Sequence, residues 1–128
     1  MKKLIIKDYM TPSPHTIGAA KSLAYAEKKM HELGVRHLPV LKGGELVGIL
    51  SDRDIKFVEA MDDMSPEEIT VEQAASDEPY SVQLDATLKD VCSVMAEKKY
   101  GSVLVMEGVK LVGIFTWIDA LKAFTSVL

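Results

Sequence analysis

One internal repeat constrains the fold of this chain more than any other feature. Leu46-Val47-Gly48-Ile49 recurs as Leu111-Val112-Gly113-Ile114, a displacement of 65 positions from 46 to 111. The same displacement superposes further identical residues without a gap: Leu23 on Leu88, Met30 on Met95, Glu32 on Glu97, Val40 on Val105 and Asp54 on Asp119. A repeat of this kind predicts one supersecondary unit that occurs twice.

Both copies predict the same order of elements. In the first, apolar residues at helical spacing indicate an amphipathic helix that Gly34 ends: Leu23, Ala26, Met30 and Leu33. Two apolar runs, residues 38–41 and 46–50, flank a glycine turn and predict a β-hairpin, and a second helix is expected after Ser51. The second copy predicts a helix around Leu88, strands at 103–106 and 111–115, and a last helix at 118–124.

Each copy is too small to bury enough apolar surface to be stable alone, so we expect the two to pack together about an approximate two-fold axis. We predict a first repeat with its N-terminal segment in residues 1–62, a linker in 63–73 and a second repeat in 74–128. The acidic stretch 62–68 joins them, with Ser65 as N-cap, Pro66 at the first helical position and Glu68 closing a capping box. The cleft between the copies then has two equivalent halves.

Composition excludes several classes of protein. The 128 residues suit a single compact domain. A formal net charge of −4 opposes sequence-independent binding to nucleic acid or anionic lipid. Cys92 is the only cysteine, and the apolar run at 4–6 is too short for a signal peptide or a membrane span. We therefore expect a cytoplasmic protein without an intramolecular disulfide.

The most informative pattern follows each hairpin. A strand glycine, a hydroxyl and an aspartate recur at the same spacing in Gly48…Ser51…Asp54 and Gly113…Thr116…Asp119. One interpretation is a capping box, in which hydroxyl and carboxylate satisfy the free N–H groups at the helix start. In the other, the carboxylate accepts both hydroxyls of a ribose, the glycine lets backbone approach a ligand, and the helix N-terminus attracts phosphate. These residues alone favour capping and leave both open.

The two copies closely resemble the CBS (cystathionine β-synthase) motif. In the first copy the resemblance is carried by Asp8-Tyr9-Met10-Thr11-Pro12, by residues 34–40 and by residues 46–55. In the second copy it is carried by Pro79-Tyr80-Ser81-Val82, by residues 100–103 and by residues 116–120. The resemblance implies an α+β (α/β-like) fold of two β-α-β-β-α repeats, often called a Bateman module. Such modules commonly bind AMP, ADP, ATP or S-adenosylmethionine and regulate another protein.

The resemblance also implies binding residues. The ribose would be held by Ser51 with Asp54 and by Thr116 with Asp119. The residues expected to lie against adenine come from both copies: Thr16, Ile17, His37, Leu38 and Pro39 in the first, and Ser81, Val82, Ser102 and Val103 in the second. The second copy lacks the Met-Thr-Pro opening and has Ala-Ser-Asp at 75–77, so its adenine pocket departs from the family pattern.

The copies differ where phosphate would bind. The first offers the cations Arg36, Arg53 and Lys56, together with His37, whereas the matching positions of the second are Gly101, Ile118, Leu121 and Ser102. Guanidinium groups bind phosphate bidentately, so we hypothesise that the first half takes the more phosphorylated ligand. The alternative is that the two arginines are solvated surface charges.

An enzyme is not indicated. Cys92 and Ser51 have no evident catalytic partner, and the three histidines show no metal-ligand spacing. We predict a non-catalytic module that binds an adenine nucleotide in the cleft, needs neither cofactor nor metal, forms a homodimer through helical residues such as Leu121, Phe124 and Val127, and signals to an unknown protein. The alternative is a ligand-free dimerisation scaffold with the same fold.

Overall fold

The computed structural model of this chain describes residues 3–61 and 63–128. Met1, Lys2 and Asp62 lie outside the described residues, and with Asp62 the predicted end of the first repeat. The chain divides into two compact units. His15–Pro79 forms the first-repeat unit, and Met1–Pro14 with Tyr80–Leu128 forms the second-repeat unit.

Each unit contains the order β-α-β-β-α. The strands are β1 (Thr11–Pro12), β2 (Ile17–Gly18), β3 (His37–Lys42), β4 (Glu45–Ser51), β5 (Ser81–Gln83), β6 (Ser102–Glu107) and β7 (Lys110–Thr116). The helices are α1 (Leu23–Leu33), α2 (Asp52–Glu59), α3 (Val71–Ala74), α4 (Leu88–Lys98) and α5 (Trp117–Val127), and a short 3-10 turn covers Ile6–Asp8. The predicted α+β class and repeated element order are confirmed.

The first-repeat unit is built on a three-stranded sheet. β3 lies in the centre, with β2 parallel on one side and β4 antiparallel on the other. The apolar face predicted for α1 packs on this sheet through Leu23, Ala26 and Met30. Gly34 ends the helix in the left-handed region, with a φ of 66° that a residue without Cβ adopts at no steric cost.

The second-repeat unit contains a four-stranded sheet in the order β1-β7-β6-β5. Its core holds Phe115 and Val103 together with Ile6 from the N-terminal segment and Val91 and Met95 from α4. The apolar periodicity of the second copy therefore faces inward as the sequence predicts.

The segment that opens each copy pairs with a strand of the other copy. Thr11 in β1 lies opposite Ile114 of β7, and Ser76 exchanges backbone hydrogen bonds with Ile49 of β4 at N···O distances of 2.9 and 3.0 Å. This grouping differs from the predicted division, which kept residues 1–14 with the first repeat and residues 74–79 with the second. The physical reason is that the outer edges of β4 and β7 need backbone partners, and a repeat pattern does not specify which copy supplies them.

The predicted helix start at Pro66 is wrong. The Ser65 hydroxyl donates to Glu67 Oε2 at 2.6 Å, and the Glu68 N–H donates to the Ser65 carbonyl at 2.9 Å, so these residues form a turn. The helix of this region, α3, begins at Val71 instead. Thr70 and Gln73 supply a complete reciprocal capping box there, in which each side chain accepts from the other residue's backbone N–H.

Candidate functional site

The first candidate site is the junction between β4 and α2. The Ser51 N–H donates to Asp54 Oδ2 at 2.8 Å, and the Asp54 N–H donates to Ser51 Oγ at 3.2 Å. The capping interpretation is therefore correct here. Capping occupies one carboxylate oxygen only: among residues 3–61 and 63–128, Oδ1 of the half-buried Asp54 accepts no hydrogen bond. This junction can thus cap a helix and bind a ligand at once.

The second candidate site is the junction between β7 and α5. Asp119 Oδ2 accepts from the Thr116 N–H at 2.9 Å and from the Thr116 hydroxyl at 3.3 Å. Asp119 Oδ1 accepts from the Thr11 hydroxyl at 3.0 Å. Both oxygens of this carboxylate are engaged, and the third donor comes from the N-terminal segment that sequence reasoning assigned to the other repeat.

In each unit, the strand that carries the predicted ribose-binding hydroxyl pairs with a strand that carries predicted adenine residues. In the first-repeat unit Ser51 lies opposite His37 at the start of β3, and β2 lies on the other side of β3 with Ile17 opposite Val40. In the second-repeat unit Thr116 lies opposite Ser102, and Ser81 opposite Leu104. The two repeats therefore present equivalent arrangements.

Burial limits what the predicted adenine residues can offer. Ile17, Leu38, Pro39 and Val103 are buried, which leaves mainly their backbone groups for a ligand. Thr16 and Ser81 are exposed, and His37, Val82 and Ser102 are half-buried. The assignment of all nine residues to adenine stays a prediction.

His37 is not a cation at neutral pH. Burial lowers the pKa of its imidazole below the ordinary value, and this outweighs the opposite effect of Asp52 and Asp54. The ring is therefore a neutral hydrogen-bonding group beside the first site, and the positive charge of this copy rests on its arginines and lysines.

Two of the three predicted phosphate residues line one surface pocket, and Arg53 is not among its lining residues. Arg36 and Lys56 line a surface pocket of about 330 Å³ whose walls include Asp52 but not Asp54 or Arg53. Lys56 Nζ lies 4.0 Å from Asp52 Oδ2, one helical turn away. Of the three predicted cations only Arg53 adjoins Asp54 directly in the chain, and all three are exposed.

The strand glycines serve a contact that sequence reasoning missed. A Cβ on Gly48 would overlap the Ser76 carbonyl oxygen, and a Cβ on Gly113 would overlap the Met10 sulfur. The expected close approach is therefore made, in this structure, by another segment of the chain. The displacement of 65 positions could have indicated this contact, because it maps Met10-Thr11 onto Ala75-Ser76 just as it maps Gly48 onto Gly113.

Trp117 stands where the first copy has Asp52. Its indole Nε1 donates to the Tyr100 carbonyl at 2.8 Å, and the Tyr100 ring lies 5.3 Å from that of Tyr80 between centroids. These contacts favour a packing role for Trp117 over base stacking.

Within residues 3–61 and 63–128, no three His, Cys, Asp or Glu side chains are grouped as metal ligands would be. In the same residues, none of the helices has the length and apolar character that crossing a bilayer requires.

The fold and the repeated hydroxyl–aspartate junctions define a tandem-repeat protein of the β-α-β-β-α type. The family model described as "CBS domain" matches residues 6–60 and again residues 64–126. The chain therefore belongs to the CBS domain family, as its motifs indicated.

Individual proteins are similar to this chain in sequence or in fold. Hypoxic response protein 1 of Mycobacterium tuberculosis is 30% identical over 114 residues, which cover 88% of this chain and 80% of that protein. The crystal structure of CBSX2 in complex with AMP superposes with a TM-score of 0.84 at 24% identity, covering 97% of this chain and 98% of that one. The CBS domain pair of protein MJ0100, solved with 5′-methylthioadenosine and S-adenosyl-L-methionine, gives a TM-score of 0.87 at 23% identity, covering 99% and 100%.

Proposed function

We propose that this chain is a non-catalytic regulatory module that binds an adenine nucleotide through Asp54 and Asp119. The observation that carries the proposal is that Asp54 Oδ1 accepts no hydrogen bond from the described residues, on a carboxylate whose orientation the Ser51 capping box already fixes. A fixed carboxylate loses little rotamer freedom when it accepts the hydroxyls of a ribose. Two proteins of the same fold were crystallised with adenosine-containing ligands, which supports this ligand class.

The first-repeat site is proposed to take the more phosphorylated ligand. Arg53 directly precedes Asp54 on the first turn of α2, and its guanidinium is proposed to bind the 5′-phosphate. Arg36 and Lys56 line the separate pocket beside Asp52 and are proposed to contribute longer-range charge. The second repeat has Ile118 at the position of Arg53.

Titration calorimetry with AMP tests the ribose assignment. A hydrogen bond to a charged group contributes about 1.5–3 kcal/mol, so Asp54→Ala and Asp119→Ala should each weaken binding at their own site about ten- to a hundredfold. Asp52→Ala is the matched control and is titrated with adenosine, because it removes the same charge from the same helical turn and should leave the affinity for this uncharged ligand unchanged. Wild-type affinity in both aspartate variants would refute the assignment.

Adenosine separates the phosphate role from the ribose role. Arg53→Gln should weaken AMP binding and leave adenosine binding unchanged, whereas Lys56→Gln should affect AMP much less. Equal affinity of the wild-type protein for AMP and adenosine would remove phosphate from the proposal while leaving the ribose contact intact.

We further propose that the module is a cytoplasmic homodimer that signals to a separate protein. The support for the homodimer is α5, whose Leu121, Phe124 and Val127 side chains are each 58–60% exposed. Apolar side chains in a row on one helix favour a protein–protein contact. Light scattering should give a dimer mass for the wild type and a monomer mass for Phe124→Asp, and a monomeric wild type would contradict the dimer.

The exposed face of α5 also supports the second candidate function, a scaffold that dimerises without a ligand. A thermal-shift panel of AMP, ADP, ATP and S-adenosylmethionine distinguishes the two. A ligand at one hundred times its dissociation constant adds about 2.7 kcal/mol of stability. A stabilising shift supports the nucleotide module, and the absence of any shift together with a dimer mass supports the scaffold.

A further inference from the structure

We propose that Thr11, on the N-terminal segment, is a positioning residue for nucleotide binding at Asp119. The inference rests on the proposed function and adds to it a residue that lies far from Asp119 in sequence. Thr11 Oγ1 donates to Asp119 Oδ1 at 3.0 Å, across 108 positions of the chain. The contact lies entirely within the second-repeat unit.

The backbone holds Thr11 in place. Thr11 and Pro12 lie opposite Ile114 and Gly113 in the β1–β7 ladder. One residue further, the Ser13 N–H donates to the Val112 carbonyl at 3.1 Å. The backbone pairing of this segment therefore fixes the position from which the Thr11 hydroxyl reaches Asp119.

The Thr11 bond completes the fixation of the carboxylate. Thr116 holds Oδ2 and Thr11 holds Oδ1, so rotation about the carboxylate bond breaks at least one hydrogen bond. Each carboxylate oxygen accepts about two hydrogen bonds, and three of these four positions are occupied, which leaves one on Oδ1 for a ribose hydroxyl. A ligand then binds an acceptor whose orientation costs no further entropy.

Among the described residues of the first-repeat unit, Asp54 has no counterpart to the hydrogen bond from Thr11. Ser76 is the residue equivalent to Thr11, and it pairs with Ile49 through its backbone. Within the described residues Asp54 accepts hydrogen bonds from Ser51 alone. The two repeats thus hold equivalent carboxylates differently, and it is the carboxylate of the second repeat that contacts the N-terminal segment.

The test uses the full chain in an Asp54→Ala background, so that calorimetry with AMP and with adenosine reports on the Asp119 site. Thr11→Val keeps the shape of the side chain and should weaken both ligands about three- to tenfold, the effect of freeing one side chain. Thr11→Ser restores the hydroxyl and should restore affinity. The urea midpoint of the ligand-free Thr11→Val protein is measured in parallel. A purely structural role would lower this midpoint, whereas a positioning role lowers the affinity while the midpoint stays close to that of the parent.

Ser76→Ala in an Asp119→Ala background is the matched control and should bind as its parent does. Unchanged or tighter binding by Thr11→Val would overturn the positioning role. Tighter binding would mean that the Thr11 hydroxyl competes with the ribose for Asp119. If Asp54→Ala and Asp119→Ala themselves leave binding intact, the proposed function fails first. Weakening by Asp119→Ala together with full affinity in Thr11→Val defeats this inference alone.

Discussion

Substituting alanine at the two equivalent strand glycines should give unequal results. In Gly48→Ala the new methyl meets a backbone carbonyl, that of Ser76, which cannot rotate away. The segment must shift and strain both hydrogen bonds between Ile49 and Ser76. Two such bonds contribute about 1–3 kcal/mol and overpacking costs about 1–3 kcal/mol, while the stiffer unfolded chain returns about 0.4–1 kcal/mol. We expect a net loss of about 2–4 kcal/mol.

In Gly113→Ala the methyl meets the flexible Met10 side chain instead, which can change rotamer, so the expected loss is about 1 kcal/mol. Urea unfolding followed by circular dichroism measures both variants against the wild type. Met10→Ala/Gly113→Ala should lose less than the two single losses combined, because the clash is gone. Equal losses in the two glycine variants, or a larger loss at Gly113, would refute the assignment of these contacts.

Three further outcomes are expected. Gly34→Ala should destabilise the protein by about 1 kcal/mol in urea unfolding, because alanine is strained at a φ of 66°, while Lys99→Gly, at the equivalent helix end with a φ of 61°, should cost nothing or stabilise slightly. The pKa of His37 is lowered by burial, so below about pH 6.5 the unfolded chain binds a proton that the folded chain excludes. The free energy of unfolding should therefore decrease as the pH is lowered below about 6.5. A His37→Gln variant whose stability keeps the same dependence on pH would contradict this. Thr87 accepts from the Asp90 N–H at 3.2 Å at the start of α4, so Thr87→Ala should lose about 1 kcal/mol of stability and Thr87→Ser much less, as measured by thermal unfolding.

Most elements were predictable because each depends on a local pattern, whereas the helix of the linker was misplaced. Apolar residues at a spacing of three or four turned inward in α1, and Gly34 ended that helix as its missing Cβ allows. The hydroxyl–aspartate pairs formed capping interactions because both partners lie within one helical turn. Family membership followed from the same motifs.

Long-range pairing was not predictable in the same way. Nothing local to Thr11 specifies that its strand lies against β7, since an edge strand accepts any segment of matching shape. Similarly, Arg36, Arg53 and Lys56 are cations of one copy, but helical geometry turns Lys56 toward Asp52 and leaves Arg53 outside that pocket. Sequence identified the chemistry of these groups and not their directions.

An amide-detected NMR titration with AMP tests the central claim most directly. The amides of Ser51 and Thr116 donate to Asp54 and Asp119, so a ligand that engages those carboxylates must perturb them. We predict saturable shifts at both amides, with the Ser51 shift lost in Asp54→Ala. Shifts confined to the pocket of Arg36 and Lys56, or none at saturating AMP, would contradict a ribose-binding role for the two aspartates.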